Sequence, residues 1–162
     1  MNAERPAGRP DDELALEIAF SRIHATRMAD LPFLNPALRV EAVGFRDWSG
    51  LRLGALVTPW SINLMLLPGP ATALPPVRTG EEKLYAFPAG VYGFHGHDDP
   101  LTGPYQQCSL FSPVEEFSTH DDAVAAARAA LEGLVAPQPE PGDGAVVAPP
   151  PRMSRRGLFG GA

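Results

Sequence analysis

Between Asp11 and Ala29 apolar residues return every three or four positions: Ala15, Leu16, Ala19, Phe20 and Ile23 share one face, while Glu13, Glu17 and His24 gather on another. That period predicts an amphipathic helix. Asp11, Asp12 and Glu13 stand where the helix dipole favours negative charge, and Arg22 and Arg27 lie toward the other end. The helix should stop before Pro32, because a residue ahead of proline avoids helical angles. Leu31-Pro-Phe-Leu-Asn-Pro36 then reads as an irregular apolar connector. From Leu38 the period shortens to two. Leu38, Val40 and Ala42 alternate with Arg39 and Glu41 up to Phe45, Asp47-Trp-Ser-Gly50 signals a turn, and Leu51, Leu53, Ala55 and Val57 share a face of the next run. These two runs predict a hairpin.

The stretch Thr58 to Pro70 departs from alternation. Its middle, Ile62 to Leu67, is apolar apart from Asn63, and prolines bracket it on both sides. A short bracketed run of this kind predicts a buried strand, begun near Trp60 and stopped by Pro68-Gly69-Pro70. Trp60 at its mouth makes either a rigid corner of the core or a fixed apolar surface for a partner. Ala71 to Gly80 reads as a loop, since Pro75-Pro76 excludes helix. Lys83–Phe87 and Val91–His95 predict a second hairpin around Pro88-Ala89-Gly90, Gly96 to Gly103 a polar turn, and Tyr105–Phe111 a sixth strand. Ser118 or Thr119 should cap a helix to about Val135, with Asp121 or Asp122 completing a capping box and Val124, Ala127, Leu131 and Leu134 as its apolar stripe. Strands flanked by helices predict an α+β fold: an antiparallel sheet of about six strands with an N-terminal and a C-terminal helix.

Composition divides the chain into three. Residues 1–10 read as a disordered N-terminus, 11–136 as one domain, and 137–162, rich in proline and glycine, as a flexible tail. No run of about 18 apolar residues exists, which argues against a membrane-spanning helix or membrane insertion. The polar N-terminus shows no secretory signal, so the cytoplasm is the expected compartment. The single cysteine, Cys108, is incompatible with an internal disulfide framework or a four-cysteine metal site. Residues 11–136 hold 8 basic and 16 acidic residues, net −8, although the whole chain carries only −6. An acidic domain disfavours nucleic acid and favours basic partners.

Candidate chemistry is sparse. His95 and His97 are two apart, so on a continuing strand both rings would point one way, with Asp98, Asp99 and Cys108 available to complete a metal site. Cys108 with histidines elsewhere is also the minimal composition for a thiol nucleophile, although a cysteine in an apolar strand more often packs as a small hydrophobe. No hydrolase elbow, P-loop or dinucleotide-binding glycine pattern is present.

Four short motifs in order point elsewhere: Asp30-Leu-Pro-Phe-Leu-Asn-Pro36, Thr58-Pro59-Trp60 followed by Pro68-Gly69-Pro70, Cys108-Ser109-Leu110-Phe111-Ser112-Pro113, and Arg155-Arg-Gly-Leu-Phe-Gly160. From about Ala15 onward the chain resembles the HybE/HupJ-type [NiFe]-hydrogenase assembly chaperones. The resemblance implies a maturation factor without enzymatic activity or cofactor. Such a factor would bind the hydrogenase small-subunit precursor through its twin-arginine leader until its metal clusters are in place, with the large subunit or other maturation factors as further partners. It directs attention to Trp60, Asn63, Met65, Pro68, Gly69, Pro70, Cys108, Ser109, Arg155 and Arg156 as partner-binding residues. Some relatives carry a fused rubredoxin-like iron site, for which this chain lacks the paired cysteines. The tail order Ser154-Arg-Arg-Gly-Leu-Phe159 looks like the core of a twin-arginine signal, as though it imitated the client. The competing expectation is a small metal carrier or thiol enzyme that uses Cys108 with His95 and His97.

Overall fold

The computed structural model describes residues 11–137 apart from Ala29, Phe33 and Pro113. The expected N-terminal segment 1–10 and all of the expected 137–162 tail after Pro137, including Arg155 and Arg156, lie outside the described residues. In chain order the elements are α1 (Asp11–Ile23), β1 (Glu41–Trp48), β2 (Leu51–Val57), β3 (Ile62–Leu67), β4 (Glu82–Phe87), β5 (Gly90–Asp99), β6 (Gly103–Phe111) and α2 (His120–Val135). This is the expected α+β architecture of six strands and two helices. Among the described residues no helix is long and apolar enough to cross a membrane.

The six strands form one antiparallel sheet in the order β1-β2-β3-β6-β5-β4. Two three-stranded meanders are thus joined down the middle by the β3–β6 pair. Every residue of β3 is buried, as its unbroken apolar run requires. Alternation decides what each side meets. Leu51, Leu53, Ala55 and Val57 of β2 join Ile62, Leu64 and Leu66 of β3 on an inner face, where Ala123, Ala127, Leu131 and Leu134 of α2 pack. Leu56, Met65, Leu67 and Tyr105 face outward, under Leu16 and Phe20 of α1. The helices therefore cover opposite faces of the sheet.

Local chemistry fixes both helices. Thr119 adopts extended angles and its hydroxyl accepts from the Asp122 amide at 3.0 Å, so Thr119 is the N-cap of α2. Arg52 on β2 holds the acidic start of α1 through Asp12 at 2.9 Å and Glu13 at 2.7 Å. Glu17 accepts the Ala42 amide at 2.7 Å. Gly44 (φ 69) sits where the β1–β2 register shifts between Val43 and Arg46, and a Cβ there would lie 2.8 Å from Leu131. That irregularity lets α2 approach β1.

Three boundaries differ from expectation. The first hairpin strand starts at Glu41 and runs to Trp48, leaving Ser49 and Gly50, both at positive φ, as the two-residue turn. The third strand starts at Ile62, because Thr58 to Ser61 close a turn of their own. The polar stretch from Gly96 is strand up to Asp99, since its backbone pairs His97 with Tyr105 and Asp99 with Gly103. Polarity marked that stretch as a turn, but the β6 ladder claims it.

Candidate functional site

Trp60 is held out from the domain by a turn whose other parts are buried. The Thr58 hydroxyl donates to the Ser61 carbonyl at 2.8 Å and accepts from the Ser61 amide at 2.9 Å and the Trp60 amide at 3.2 Å. The Pro59 carbonyl accepts from the Asn35 amide at 2.8 Å. Asn35 in turn donates its side-chain amide to the carbonyls of Val114 and Phe117 at 2.9 and 2.8 Å. Two of the motifs singled out in the sequence, the 30–36 connector and the Thr58–Trp60 corner, therefore meet here with the chain that follows the third. Thr58, Pro59 and Ser61 are buried while Trp60 is half-buried, so the corner is both core and surface.

Beneath Trp60 lies a cleft of about 350 Å³ on the outer face of the sheet. One wall comes from the end of α1 and the turn after it: Phe20, stacked on Trp60 with ring centroids 6.4 Å apart, and Ile23 and Arg27. His24 to Met28 form a single π-helical turn, and it brings the His24 ring within 5.8 Å of Trp60. Such turns recur at functional sites. The opposite wall is the end of β5, with His97, Asp98 and Asp99, and the floor is Tyr105 and Gln107 of β6. A second cleft of about 530 Å³ behind the 74–78 segment shares His97 and Tyr105 with the first.

Electrostatics single out the floor. The ring of Tyr105 stacks on that of His97 at 5.4 Å and meets the edge of Phe20 at 5.8 Å. Burial, reinforced by the negative field of Asp99, pushes the Tyr105 hydroxyl up to about 12. The residue is only 6 % exposed, yet among the described residues its hydroxyl has no hydrogen-bond partner. Burial and then the neighbouring His95 lower the pKa of His97. A polar chain runs from Asn63 to Gln107 at 3.3 Å and on to His97 at 3.2 Å. With the Gln107 amide nitrogen donating, His97 Nε2 accepts, and the lowered pKa of the ring likewise favours its neutral form.

The partner-binding candidates do not form one surface. Trp60, Asn63 and Ser109 share the outer side of the sheet, Asn63 pairing with Ser109 across β3 and β6. Met65 also points outward but is fully covered by α1, at 0 % exposure. Pro68, Gly69 and Pro70 lie at the far end of β3, roughly 20 Å from Trp60 for a strand of that length. A Cβ on Gly69 would fall 1.6 Å from the Gly50 carbonyl oxygen, so this glycine is needed for backbone contact with the first hairpin turn. Cys108 is 3 % exposed and packs in the inner core with Phe94 and Leu110.

That position also dismantles the expected Cys108–His95–His97 constellation. His95 and His97 pair with Gln107 and Tyr105, on the outward parity, whereas Cys108 points inward, so the sheet separates thiol from imidazoles. Among the described residues no three His, Cys, Asp or Glu side chains gather at metal-binding range. The sequence places Phe20, Tyr105 and Gln107 in their elements but does not mark them as part of a site. For Tyr105 and Gln107 the signal is the shared parity of β5 and β6, visible only once the register is known. The apolar surface is elsewhere too: Leu84 and Val91, 63 % and 53 % exposed, lie on the outer side of the β4–β5 hairpin, which α1 does not reach.

Comparison with known proteins agrees with this architecture. The family model described as "[NiFe]-hydrogenase assembly, chaperone, HybE" matches residues 11–161. The chain is 41 % identical to "Protein HoxT" of Cupriavidus necator, over 90 % of this chain and 86 % of that one. It is 38 % identical to "Probable rubredoxin HupJ" of Rhodobacter capsulatus, over 72 % of this chain but only 42 % of that protein's length. The solution structure of HybE from Escherichia coli superposes with a TM-score of 0.66 at 23 % identity, covering 87 % of this chain and 86 % of the other, which establishes the shared fold.

Proposed function

This chain belongs to the HybE family of [NiFe]-hydrogenase assembly chaperones, and on that premise we propose that it holds a hydrogenase small-subunit precursor through its twin-arginine leader until the metal clusters are in place. The observation that carries the reading is the cleft beneath Trp60, where an aromatic wall faces Asp98 and Asp99. Arginine is the side chain that such a site suits best, because its guanidinium stacks on aromatic faces and pairs with carboxylates. The net −8 of residues 11–136 adds long-range attraction for a basic segment. Binding rather than bond chemistry is the work this geometry supports, with no cofactor of its own, in the cytoplasm before the client is exported. The large subunit and other maturation factors are secondary partners.

The test is capture with the full chain as bait, comparing small-subunit precursor with and without its leader. Leader-dependent capture that weakens with added salt is expected, since exposed charges are screened over about 10 Å at 0.1 M. Equal capture of the leaderless subunit would overturn the leader reading and move recognition to the mature part of the client.

A further inference from the structure

We propose that the leader is read in two parts: one arginine guanidinium lies in the cleft between Trp60 and Asp99 and donates to the Tyr105 hydroxyl, and the apolar stretch after it runs over Val91 and Leu84. The inference rests on the leader reading above and assigns its residues.

Three independent observations converge on it. The first is the unpartnered Tyr105 hydroxyl, 6 % exposed and lining the cleft. A buried hydroxyl without a partner costs stability, and this one is an acceptor waiting for a donor. The second is charge. Asp98 and Asp99 face a single cation, Arg27, and no ion pair joins Arg27 to either among the described residues. With His97 neutral against Gln107, the cleft keeps an excess of negative charge. Asp99 spends one oxygen on the Leu101 amide at 2.8 Å and keeps the other free for a guanidinium.

The third is the uncovered half of the outer face. α1 lies over β1, β2 and β3, while Leu84 and Val91 remain exposed on neighbouring strands, with Leu84 opposite Gly93 and Val91 opposite Ala86. Val91 and His97 share one side of β5, six residues apart, which is roughly 20 Å. A helix of about 13 residues covers that distance. An apolar segment lying there would add a second helix beside α1 and complete the layer. A lysine pair would be a poorer fit, because a compact ammonium neither stacks on Trp60 nor forks between two acceptors.

The test uses the full chain and a labelled synthetic peptide with an Arg-Arg pair followed by an apolar stretch of about 13 residues, read by fluorescence anisotropy. Comparison peptides carry Lys-Lys, or a stretch cut to half. Tyr105→Phe, which keeps the ring packing, and Asp99→Asn, which keeps the Leu101 acceptor, should each weaken the Arg-Arg peptide about tenfold. Tyr105→Phe should leave the weaker binding of the Lys-Lys peptide unchanged, whereas Asp99→Asn should lower it by less than it lowers binding of the Arg-Arg peptide, because only the charge is lost there. Leu84→Ser with Val91→Ser should weaken the long peptide and leave the short one unchanged. Wild-type binding that survives Tyr105→Phe and Asp99→Asn would overturn this assignment while the leader reading stands. A wild-type chain that does not bind the Arg-Arg peptide overturns both. Thermal melting of Tyr105→Phe at or above wild type is the accompanying control, because a folding defect would lower it.

Discussion

Trp48 and Phe87 belong to the two opposite edge strands of the sheet, yet their rings stack with centroids 4.5 Å apart and planes 23° from parallel. A flat six-stranded sheet would hold these edges well over 20 Å apart at about 4.8 Å per strand. The sheet is therefore rolled around its inner face, and Tyr85, Tyr92 and Phe94 fill the space beside the contact. The roll brings the β4–β5 turn to the end of α2, where the Ala89 amide donates to the Leu134 carbonyl at 3.2 Å.

Trp48→Ala should accordingly cost more than its half-buried position suggests. The expected loss is about 3 kcal/mol, the lower end of the range for truncating a buried aromatic. Urea unfolding monitored by circular dichroism checks it. A loss below about 0.5 kcal/mol, typical of surface changes, would mean that the edges do not depend on each other.

Trp60→Ala separates core from surface at the corner. The Thr58 hydroxyl bonds and the Asn35–Pro59 contact remain, so the domain should stay folded and lose about 1–2 kcal/mol from the Phe20 stack. Capture of the small-subunit precursor should fall steeply. A variant that melts far below wild type would assign Trp60 to the core and remove it from the binding surface.

Cys108→Ser is expected to leave hydrogenase maturation in place. The thiol is walled into the inner core, and a hydroxyl there costs about 1–3 kcal/mol without changing the outer face. Maturation assays beside thermal melting provide the check. Loss of maturation in a variant that melts like wild type would restore a chemical role for the thiol.

Acid should weaken the fold through His97. Its folded pKa lies below the ordinary 6.5, so the unfolded chain binds the proton more readily. Stability therefore rises with pH through this window, and it is lost as pH falls from 6.5 through the depressed folded value. Around the ring stand His95, Gln107, Tyr105, Asp98, Asp99 and Arg27, and protonation also removes the acceptor that Gln107 uses. His97→Gln should flatten the part of the stability–pH curve just below 6.5. An unchanged slope would place that titration elsewhere.

Much of the fold was legible because it rests on local period. The three-four repeat of α1, the alternation of β2, the proline-bracketed run of β3 and the Ser118-Thr119 cap signal each state their element without reference to the rest of the chain. The family motifs were legible for the same reason, as short strings whose order survives in one dimension. Alternation also sorts a strand into two faces. It does not say which face a helix will cover, and a register slip of one residue exchanges them.

Hence Met65 and Cys108, both named among the expected partner-binding residues, are buried on opposite sides of the sheet, one under α1 and the other toward α2. The ladder between β5 and β6 placed His97 beside Tyr105 and away from Cys108. The rolling of the sheet joined Trp48 to Phe87 across 39 positions of chain. The composition of the chain determined an acidic α+β domain with an aromatic corner. Only long-range strand pairing decided which side chains share the cleft, because that pairing depends on contacts between segments that carry no mutual signal in sequence.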